Sequence, residues 1–275
     1  MVAVSVVLVY KSTHVVSLAH GQIMAFGALI LYFAFVVINL PFVLAVGVAL
    51  VCAVVIGWLI ERFAMRPLIG ESELTAFLNT FAVYLMMDGL FQLSCKGSTF
   101  SFFHLLPHDM FSVFEVPFPI TQLVSFGISI LVFVGLALFF QYTKMGLEMR
   151  ATAEDHQLAQ CTGISVQRIF SSIWGISGLV AAIAGIALAM VIGITPFLPY
   201  IVIKGLVVAL VGGLESMPGA ILGGLILGVL ENVSAGYLDP FLGGGVKEVA
   251  AYVLVLFILL IKPYGLFGLR RIERI

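Results

Sequence analysis

The feature that most constrains this chain is the recurrence, along its whole length, of apolar runs long enough to cross a bilayer. An α-helix needs about 20 consecutive apolar residues to span the hydrocarbon core. Hydrophobic residues make up 62% of the 275 positions and charged residues only 10%, a composition far from that of soluble globular domains. The sequence therefore predicts an all-α, polytopic membrane protein that forms a single domain over residues 1–275.

The apolar runs predict about seven to eight transmembrane segments. Two short runs, Ile201 to Gly212 and Pro218 to Val233, flank "GGLESMPG". Segment 201–234 is therefore predicted to be a broken or re-entrant helix, with a kinked single crossing plus an interfacial piece as the alternative. The opening "MVAVSVVLVY" has no preceding basic region and no cleavage site, so it is predicted to be the stub of a truncated first span, not a signal peptide. The full spans are predicted at Val15 to Ile38, Pro41 to Ile60, Leu74 to Ser94, Thr121 to Gln141, Ile169 to Ile192 and Val246 to Ile261.

The positions of Lys and Arg predict the orientation, because these residues accumulate in cytoplasmic loops. Only Lys96 and Lys247 fall on one side of the predicted spans. Loop 142–168 and the C-terminus are therefore predicted to be cytosolic, and loop 96–119 to face outward. The basic residues on the predicted cytosolic side are Arg62, Arg66, Lys144, Arg150, Arg168, Lys262, Arg270, Arg271 and Arg274.

Several classes of function find no support in the composition. A net charge of −1 provides no basic field for nucleic acid. No G-x-x-x-x-G-K-[ST] phosphate loop occurs, so this chain is not expected to bind ATP in that way. His104, His108 and Asp109 have a spacing that could hold a metal on a helix, but an intervening proline and the aromatic setting favour no metal site. The three cysteines are widely separated and predict neither a disulfide framework nor a thiolate metal site; they are Cys52, Cys95 and Cys161.

Loop 142–168 contains an unusually polar stretch, "RATAEDHQLAQCTGI", at residues 150–164. Ala151 to Ala159 is predicted to form one short helix, with Glu154 and Asp155 near its start and a stop at Gly163. Such a helix either joins two spans as a solvated loop or docks a soluble partner. Its predicted apolar face comprises Ala151, Leu158 and Ala159.

The same stretch resembles the EAA loop of ABC-importer permeases, in which an acidic residue beside alanine is followed by a second alanine and then a glycine. "TKMGLEMRATAEDHQLAQCTGISVQRIF" is similar to the form found in the branched-chain amino acid permease family, of the LivH/LivM type and closer to LivH. "ERFAMRPLIGESELTAFLNTFAVYLMMDGLFQ", "VVALVGGLESMPGAILGGLILGVLEN" and "IKPYGLFG" follow in the family's order. The resemblance covers nearly the whole chain.

The resemblance implies a permease subunit in the plasma membrane of a bacterium or archaeon. Its implied partners are two ABC ATPase subunits, a homologous second permease and an extracytoplasmic substrate-binding protein. ATP would be used by the partner subunits, with no cofactor bound by this chain. The residues that it implies for ATPase coupling are Arg150, Ala153, Glu154, Asp155, Ala159 and Gly163.

Two departures from the family pattern stand out. Where the family usually has "NFAHG", this chain has "SLAHG" at Ser17 to Gly21, which puts the identity of the substrate in question. Members also usually begin upstream of the position of Val2, so the first span is expected to be truncated here.

The translocation pathway is predicted near two glycine-bearing elements, Gly21 to Ile30 and Gly213 to Leu222, which share the pattern G-x5-G-A. Unwound backbone is tolerated in a membrane only where it is buried or lines a cavity. Ionisable residues inside spans are further candidates, although Asp88 could snorkel and His20 could simply pack against unwound backbone. The predicted pathway residues are Ser17, His20, Gly21, Asp88, Gly213, Gly219 and Glu231.

Small residues at steps of four predict close packing between helices. These rows are Gly219 and Gly223; Ala220, Gly224 and Gly228; and Ala181, Gly185 and Ala189.

Three classes of function remain to be compared. The first is the permease subunit of an ATP-driven importer for branched-chain or related amino acids, with urea or another small solute as the alternative within the family. The second is an ion-coupled secondary transporter, which should carry paired intramembrane ionisable groups. The third is a membrane enzyme, for which no cluster of catalytic polar groups is present.

Overall fold

The computed structural model describes residues 1–101, 110–113, 116–154, 156–242, 244–262 and 265–268. Helices dominate these residues. One antiparallel hairpin, with β1 at Met110–Val113 and β2 at Val116–Pro119, was not predicted. The helices are α1 Val2–Thr13, α2 Ala19–Tyr32, α3 Phe42–Leu59, α4 Glu73–Cys95, α5 Ile120–Tyr142, α6 Lys144–Glu154, α7 His156–Cys161, α8 Val166–Ile192, α9 Ile201–Gly212, α10 Met217–Leu242 and α11 Val246–Ile261.

The prediction of an all-α polytopic membrane protein is confirmed. In the described part of the chain, six helical segments are long and apolar enough to cross a membrane. Two of them extend α-helices through a π-turn, at Phe33–Val37 after α2 and at Ile60–Met65 after α3. The apolar helices α1, α9 and α11 are shorter, with 12, 12 and 16 residues.

One predicted element differs clearly from the structure. The second half of the broken segment was expected to end near Val233, but α10 continues to Leu242 and has 26 residues. The polar positions after Val233 did not end the helix: Tyr237 is exposed, Ser234 and Asp239 are half-buried, and Asp239 Oδ1 accepts a hydrogen bond from the Val246 N–H at 3.0 Å. Segment 201–234 is therefore one short helix followed by a full-length one.

Helix α8 forms the centre of the bundle and packs against α1, α2 and α3. Glycines permit this close approach: a Cβ added to Gly178 would lie 2.8 Å from the carbonyl oxygen of Ala53. A Cβ added to Gly185 would overlap the backbone of Met24. The close-packing row predicted on α8 is confirmed at Gly185, its central residue. The other two members of the row, Ala181 and Ala189, are buried.

Helices α9 and α10 form an antiparallel hairpin that also depends on glycine. Gly219 faces the backbone of Gly212, and a Cβ on Gly223 would lie 2.9 Å from the carbonyl oxygen of Val208. The prediction for this row is confirmed. The neighbouring row is wrong at Gly228, which has no atom within 4 Å of an added Cβ.

An irregular stretch that packs against α2 leads into helix α9. After α8, residues 193–197 run without helix, with Ile194 bridging to Phe100, and one turn at Leu198–Tyr200 leads into α9. We call residues 193–200 the inserted segment. Leu198 and Pro199 are buried, whereas Phe197 is 74% exposed, so one side of the segment packs against the bundle. Irregular backbone of this kind is tolerated at membrane depth where protein surrounds it.

Candidate functional site

A row of polar side chains lies along one face of α4. Tyr84, Asp88 and Gln92 are spaced four residues apart, which places them above one another on a helix. Ser72 fixes the start of this helix, because its hydroxyl accepts a hydrogen bond from the backbone N–H of Thr75 at 3.2 Å. We call these three residues the polar row.

Each member of the polar row contacts a place where helical structure is interrupted. Asp88 Oδ1 accepts a hydrogen bond from Gln22 Nε2 at 2.9 Å, near the start of α2. Gln92 Nε2 donates to the carbonyl oxygen of Pro196 at 3.0 Å. The rings of Tyr84 and Tyr200 lie 6.4 Å apart in an edge-to-face arrangement. The polar row therefore faces the start of α2 and the inserted segment.

The start of α2 lies against the inserted segment. A Cβ on Gly21 would lie 2.5 Å from the carbonyl oxygen of Pro199 and 2.7 Å from Val202 Cβ. Only glycine permits this approach, so the predicted pathway residue Gly21 has a clear packing role. Its neighbour Gln22 is fully buried.

Two further predicted pathway residues form a separate buried cluster. His20 Nδ1 lies 3.0 Å from Ser17 Oγ, and His20 Nε2 lies 2.8 Å from Ser177 Oγ on α8. The His20 ring is 5.2 Å from that of Trp174. His20 thus lies between two hydroxyl groups and beside the non-helical backbone that precedes α2.

The remaining predicted pathway residues lie elsewhere. Gly21 faces the first residues of α9 and Gly213 follows its last residue, so the structure separates the two glycine elements by the length of α9. Gly219 lies in the α9–α10 contact. Glu231 is buried, and the ammonium of Lys204 is 3.2 Å from its Oε1 in an ion pair without hydrogen-bond geometry. This pair joins α9 to α10.

The polar stretch of loop 142–168 is helical on both sides of Asp155, which lies outside the described residues. Helix α6 begins at Lys144, earlier than the predicted Ala151, because the Thr143 hydroxyl accepts a hydrogen bond from the Gly146 N–H at 3.0 Å and so starts the turn. Ala151 and Ala153 are half-buried, whereas Arg150 and Glu154 are exposed.

The helix stops where it was predicted to stop. Gly163 has φ of +86°, its N–H donates to the carbonyl of Gln160 at 3.0 Å, and the Ile164 N–H donates to that of Ala159 at 3.0 Å. These two hydrogen bonds form a Schellman cap, which requires a left-handed residue and so favours glycine.

The predicted apolar face of this helix is wrong. Ala159 is buried against the bundle, while Leu158 is 65% exposed. Adjacent residues on a helix point about 100° apart, so the side chains of Leu158 and Ala159 belong to different faces of α7. Exposed residues instead include Leu147, Arg150 and Glu154 on α6 and Leu158 on α7, and we call these four residues the exposed stripe.

A buried ionic network ties the end of α3 to α8. Arg66 Nε and Nη2 donate to the two carboxylate oxygens of Glu61 at 3.0 and 2.9 Å. Ser171 Oγ donates to Glu61 Oε2 at 2.7 Å. Glu61 and Arg66 also line a cavity of about 280 Å³ that Gln160 reaches from α7. Loops 61–72 and 142–165 therefore meet at the same end of the bundle.

Sequence reasoning missed Gln22, Tyr84, Gln92 and the Glu61 network. The four-residue spacing of Tyr84, Asp88 and Gln92 within an apolar span was a visible signal. Nothing in the sequence pairs Gln22 with Asp88, because these residues are 66 positions apart. In the described chain no group of three His, Cys, Asp or Glu side chains is placed to hold a metal; His104, His108 and Asp109 fall outside that part.

Spanning helices, a short helix that follows an irregular stretch of backbone, and a polar row that faces this interruption are the features of a membrane transport protein. The family model described as "Branched-chain amino acid transport system / permease component" matches residues 1–262. The chain belongs to this family, and it is a multi-pass membrane permease component.

Individual relatives agree with the family match. The high-affinity branched-chain amino acid transport system permease protein LivH of Escherichia coli K12 is 28% identical, over 100% of this chain and 92% of its own length. Its counterpart BraD of Pseudomonas aeruginosa is 30% identical, over 100% and 93%. The solved structure of PsaBC from Streptococcus pneumoniae in complex with Fab matches with a TM-score of 0.51 at 15% identity, over 97% of this chain and 89% of that one. The last likeness concerns the fold alone.

Proposed function

We propose that this chain is the membrane-spanning permease subunit of an ATP-driven ABC importer for branched-chain or related amino acids. The observation that carries the proposal is the family match over residues 1–262. The names of LivH and BraD support the substrate class, since both are described as permeases for branched-chain amino acids. Urea or another small polar solute is the alternative within the same family.

The exposed stripe is the surface proposed to dock one of two ATPase subunits. Leu147 is 60% exposed and Leu158 65% exposed, while Arg150 and Glu154 lie between them. The two charges make lipid an unfavourable neighbour for this stripe. Large apolar side chains beside charged ones suit a protein partner whose binding buries both. The proposed coupling residues Arg150, Ala153, Glu154, Ala159 and Gly163 lie in α6, in α7 or at the stop of α7. Asp155, also proposed for coupling, lies outside the described residues.

A homologous second permease subunit is proposed to cover the polar-row side of α4. Asp88 is half-buried in a helix whose neighbouring side chains Leu85, Met86 and Leu90 are more than half exposed. A carboxylate that faced lipid at this depth would cost several kcal/mol. A second subunit would remove the apolar side chains from the membrane and leave a polar pathway beside Asp88. An extracytoplasmic binding protein would deliver the substrate to that pathway.

The proposed location is the plasma membrane of a bacterium or archaeon, with the C-terminus in the cytosol. The excess of Lys and Arg in loops 61–72 and 142–165 and after Ile261 supports this orientation. The ATPases would then contact the exposed stripe from the cytosolic side, and loop 96–119 would face the binding protein.

Reconstitution tests the proposal directly. The chain would be co-expressed with its second permease, two ATPases and binding protein, placed in vesicles, and assayed for uptake of radiolabelled L-leucine. We expect uptake only when ATP and the binding protein are both present, since the described spans offer few converging polar groups to hold a free zwitterion. Uptake driven by an ion gradient without ATP would favour a secondary transporter. Uptake of urea but not of leucine would change the substrate.

A further inference from the structure

The geometry points to Gln22 and Asp88 as the binding site for the primary ammonium group of the transported amino acid. The inference rests on the proposed importer function and adds to it a substrate group and its two contact residues.

The contact between Gln22 and Asp88 fixes which atoms remain free. An ionised carboxylate can only accept hydrogen bonds, so Gln22 must turn its Nε2 toward Asp88 Oδ1, as the 2.9 Å distance shows. Gln22 Oε1 then has no hydrogen-bond partner, although the residue is fully buried. A buried acceptor without a partner is uncommon and costly in native proteins. This unpaired oxygen belongs to the same amide group whose Nε2 contacts the Asp88 carboxylate.

An ammonium group complements this arrangement. Two acceptors lie together at this place: the Gln22 amide oxygen, which has no partner, and the carboxylate of Asp88, which is half-buried. A primary ammonium carries one positive charge and three donors and no acceptor, so it can satisfy both residues at once. Hydrogen bonds between ionised groups are also about twice as strong as neutral ones. A carboxylate has no donor to offer these oxygens, and a neutral amide such as urea offers N–H donors but no positive charge to pair with Asp88.

The position of the pair suits a transient stop along a pathway. Asp88 lies about 22 Å along α4 from Glu73 and about 10 Å from Cys95, well inside the span. Gln22 follows Gly21, which contacts the inserted segment at Pro199. Transport sites in other membrane folds also lie beside interrupted helices near the bilayer centre. The aromatic rings of Tyr84 and Tyr200 adjoin the pair and provide apolar surface for an aliphatic side chain.

The variant Asp88→Asn separates this role from a structural one. The amide of the variant can still accept the Gln22 hydrogen bond, so packing and insertion are retained while the negative charge is lost. Glu73→Gln is the matched control, because it makes the same acid-to-amide change on the exposed first turn of α4. The measurements are uptake of L-leucine and ATP hydrolysis stimulated by leucine-loaded binding protein, in the same vesicles.

We expect Asp88→Asn to lower leucine uptake by about tenfold or more while stimulated ATP hydrolysis continues, and Glu73→Gln to leave both rates unchanged. Asp88→Glu should recover part of the uptake. Normal uptake by a well-assembled Asp88→Asn complex would overturn the inference and leave the importer proposal intact. Absence of leucine uptake by the unaltered complex would instead overturn the proposed substrate class, and absence of uptake of leucine and urea alike would reject the importer proposal.

A competition assay identifies the group that Asp88 binds. Isoamylamine has the side chain and ammonium of leucine without its carboxylate, and 4-methylpentanoate has the carboxylate without the ammonium. We expect isoamylamine to inhibit leucine uptake by the unaltered complex. Most of this inhibition should disappear in the Asp88→Asn complex. 4-Methylpentanoate should inhibit neither complex. Equal inhibition of both forms by isoamylamine, or an Asp88-dependent requirement for Na⁺, would contradict an ammonium site.

Discussion

The backbone N–H of Leu266 donates a hydrogen bond to the carbonyl oxygen of Val211 at 2.9 Å, and Phe267 makes the same contact with Gly212 at 3.2 Å. Carbonyl groups in the last turn of a helix have no partner within the helix. Residues 265–268 therefore cap α9 from a distant part of the chain. The approach is close because Gly213 and Gly265 both have positive φ, at +100° and +79°.

The first prediction concerns this cap. In Gly265→Ala, the new Cβ would lie 2.5 Å from the carbonyl oxygen of Leu210, at a backbone conformation that alanine adopts only with strain. We expect the free energy of unfolding to fall by about 1–3 kcal/mol, measured as a lower melting temperature in detergent. Gly236→Ala is the control, since Gly236 lies in α10 with open space around it and helical alanine is favourable. Equal melting temperatures for the two variants would contradict the cap.

The hydropathy of the sequence predicted most of the helices, because the apolar length of a span is a local property. The bounds of α9 and α11 coincide with the predicted ones. The true end of α10 at Leu242 was missed because the apolar run ends at Val233, although the helix continues through the less apolar residues that follow. The cap formed by Leu266 depends on a contact between distant residues, which a local pattern does not contain.

The candidate site was predicted less completely than the fold. Asp88 was identified because a carboxylate in a span is costly without a role, and Gly21 because it interrupts an apolar run. Their partners, Gln22 and Pro199, come from other helices, and only the packing of α2 against α4 and the inserted segment brings them together. The helix stop at Gly163 was predictable, since a left-handed cap is a local requirement.

The second prediction concerns the contact between α9 and α10. Gly219→Leu should abolish transport by forcing the two helices apart at the backbone of Gly212, without preventing insertion, because leucine is favourable in lipid. Gly228→Leu is the matched control on the same helix, where an added Cβ meets no atom within 4 Å, and it should transport normally. Uptake and membrane expression would be measured for both. Normal uptake by a well-expressed Gly219→Leu protein would rule out a requirement for this contact.

The third prediction concerns the Glu61 network. Arg66→Met leaves the buried Glu61 carboxylate with only Ser171 as a charge-stabilising partner, so we expect the melting temperature to drop by several degrees. The double variant Glu61→Met with Arg66→Met removes both charges and should be less destabilised than Arg66→Met alone. Thermal unfolding of four proteins in detergent gives the comparison: the unaltered protein, Glu61→Met, Arg66→Met and the double variant. A double variant that loses as much stability as the sum of the single changes would show that the two residues act independently.

The fourth prediction tests the exposed stripe. Glu154 is exposed on α6, and at a docked surface its carboxylate would be partly desolvated and in need of a partner charge. Glu154→Lys should leave the spans inserted but weaken ATPase assembly or reduce the uptake obtained per ATP hydrolysed. Glu248→Lys makes the same charge reversal at the exposed start of α11 and should do neither. Pull-down of the ATPase and parallel assays of hydrolysis and uptake provide the measurement; a normal ratio in Glu154→Lys would reject this contact.

The fifth prediction concerns the helix stop at Gly163. Its φ of +86° is reached at little cost only by glycine, and the Schellman cap there sets the direction in which the chain leaves α7 for α8. Valine disfavours positive φ strongly, so Gly163→Val should shift this exit and separate ATP hydrolysis from transport. Gly97→Val is the matched control, because Gly97 also has positive φ, at +72°, and open space for a side chain. Gly97 follows the C-terminal end of α4, away from loop 142–165. Gly97→Val should therefore introduce the same backbone strain and retain coupling. The measurement is the ratio of leucine uptake to stimulated ATP hydrolysis in vesicles. If Gly163→Val and Gly97→Val lower this ratio equally, the effect is general strain, and the stop at Gly163 has no special part in coupling.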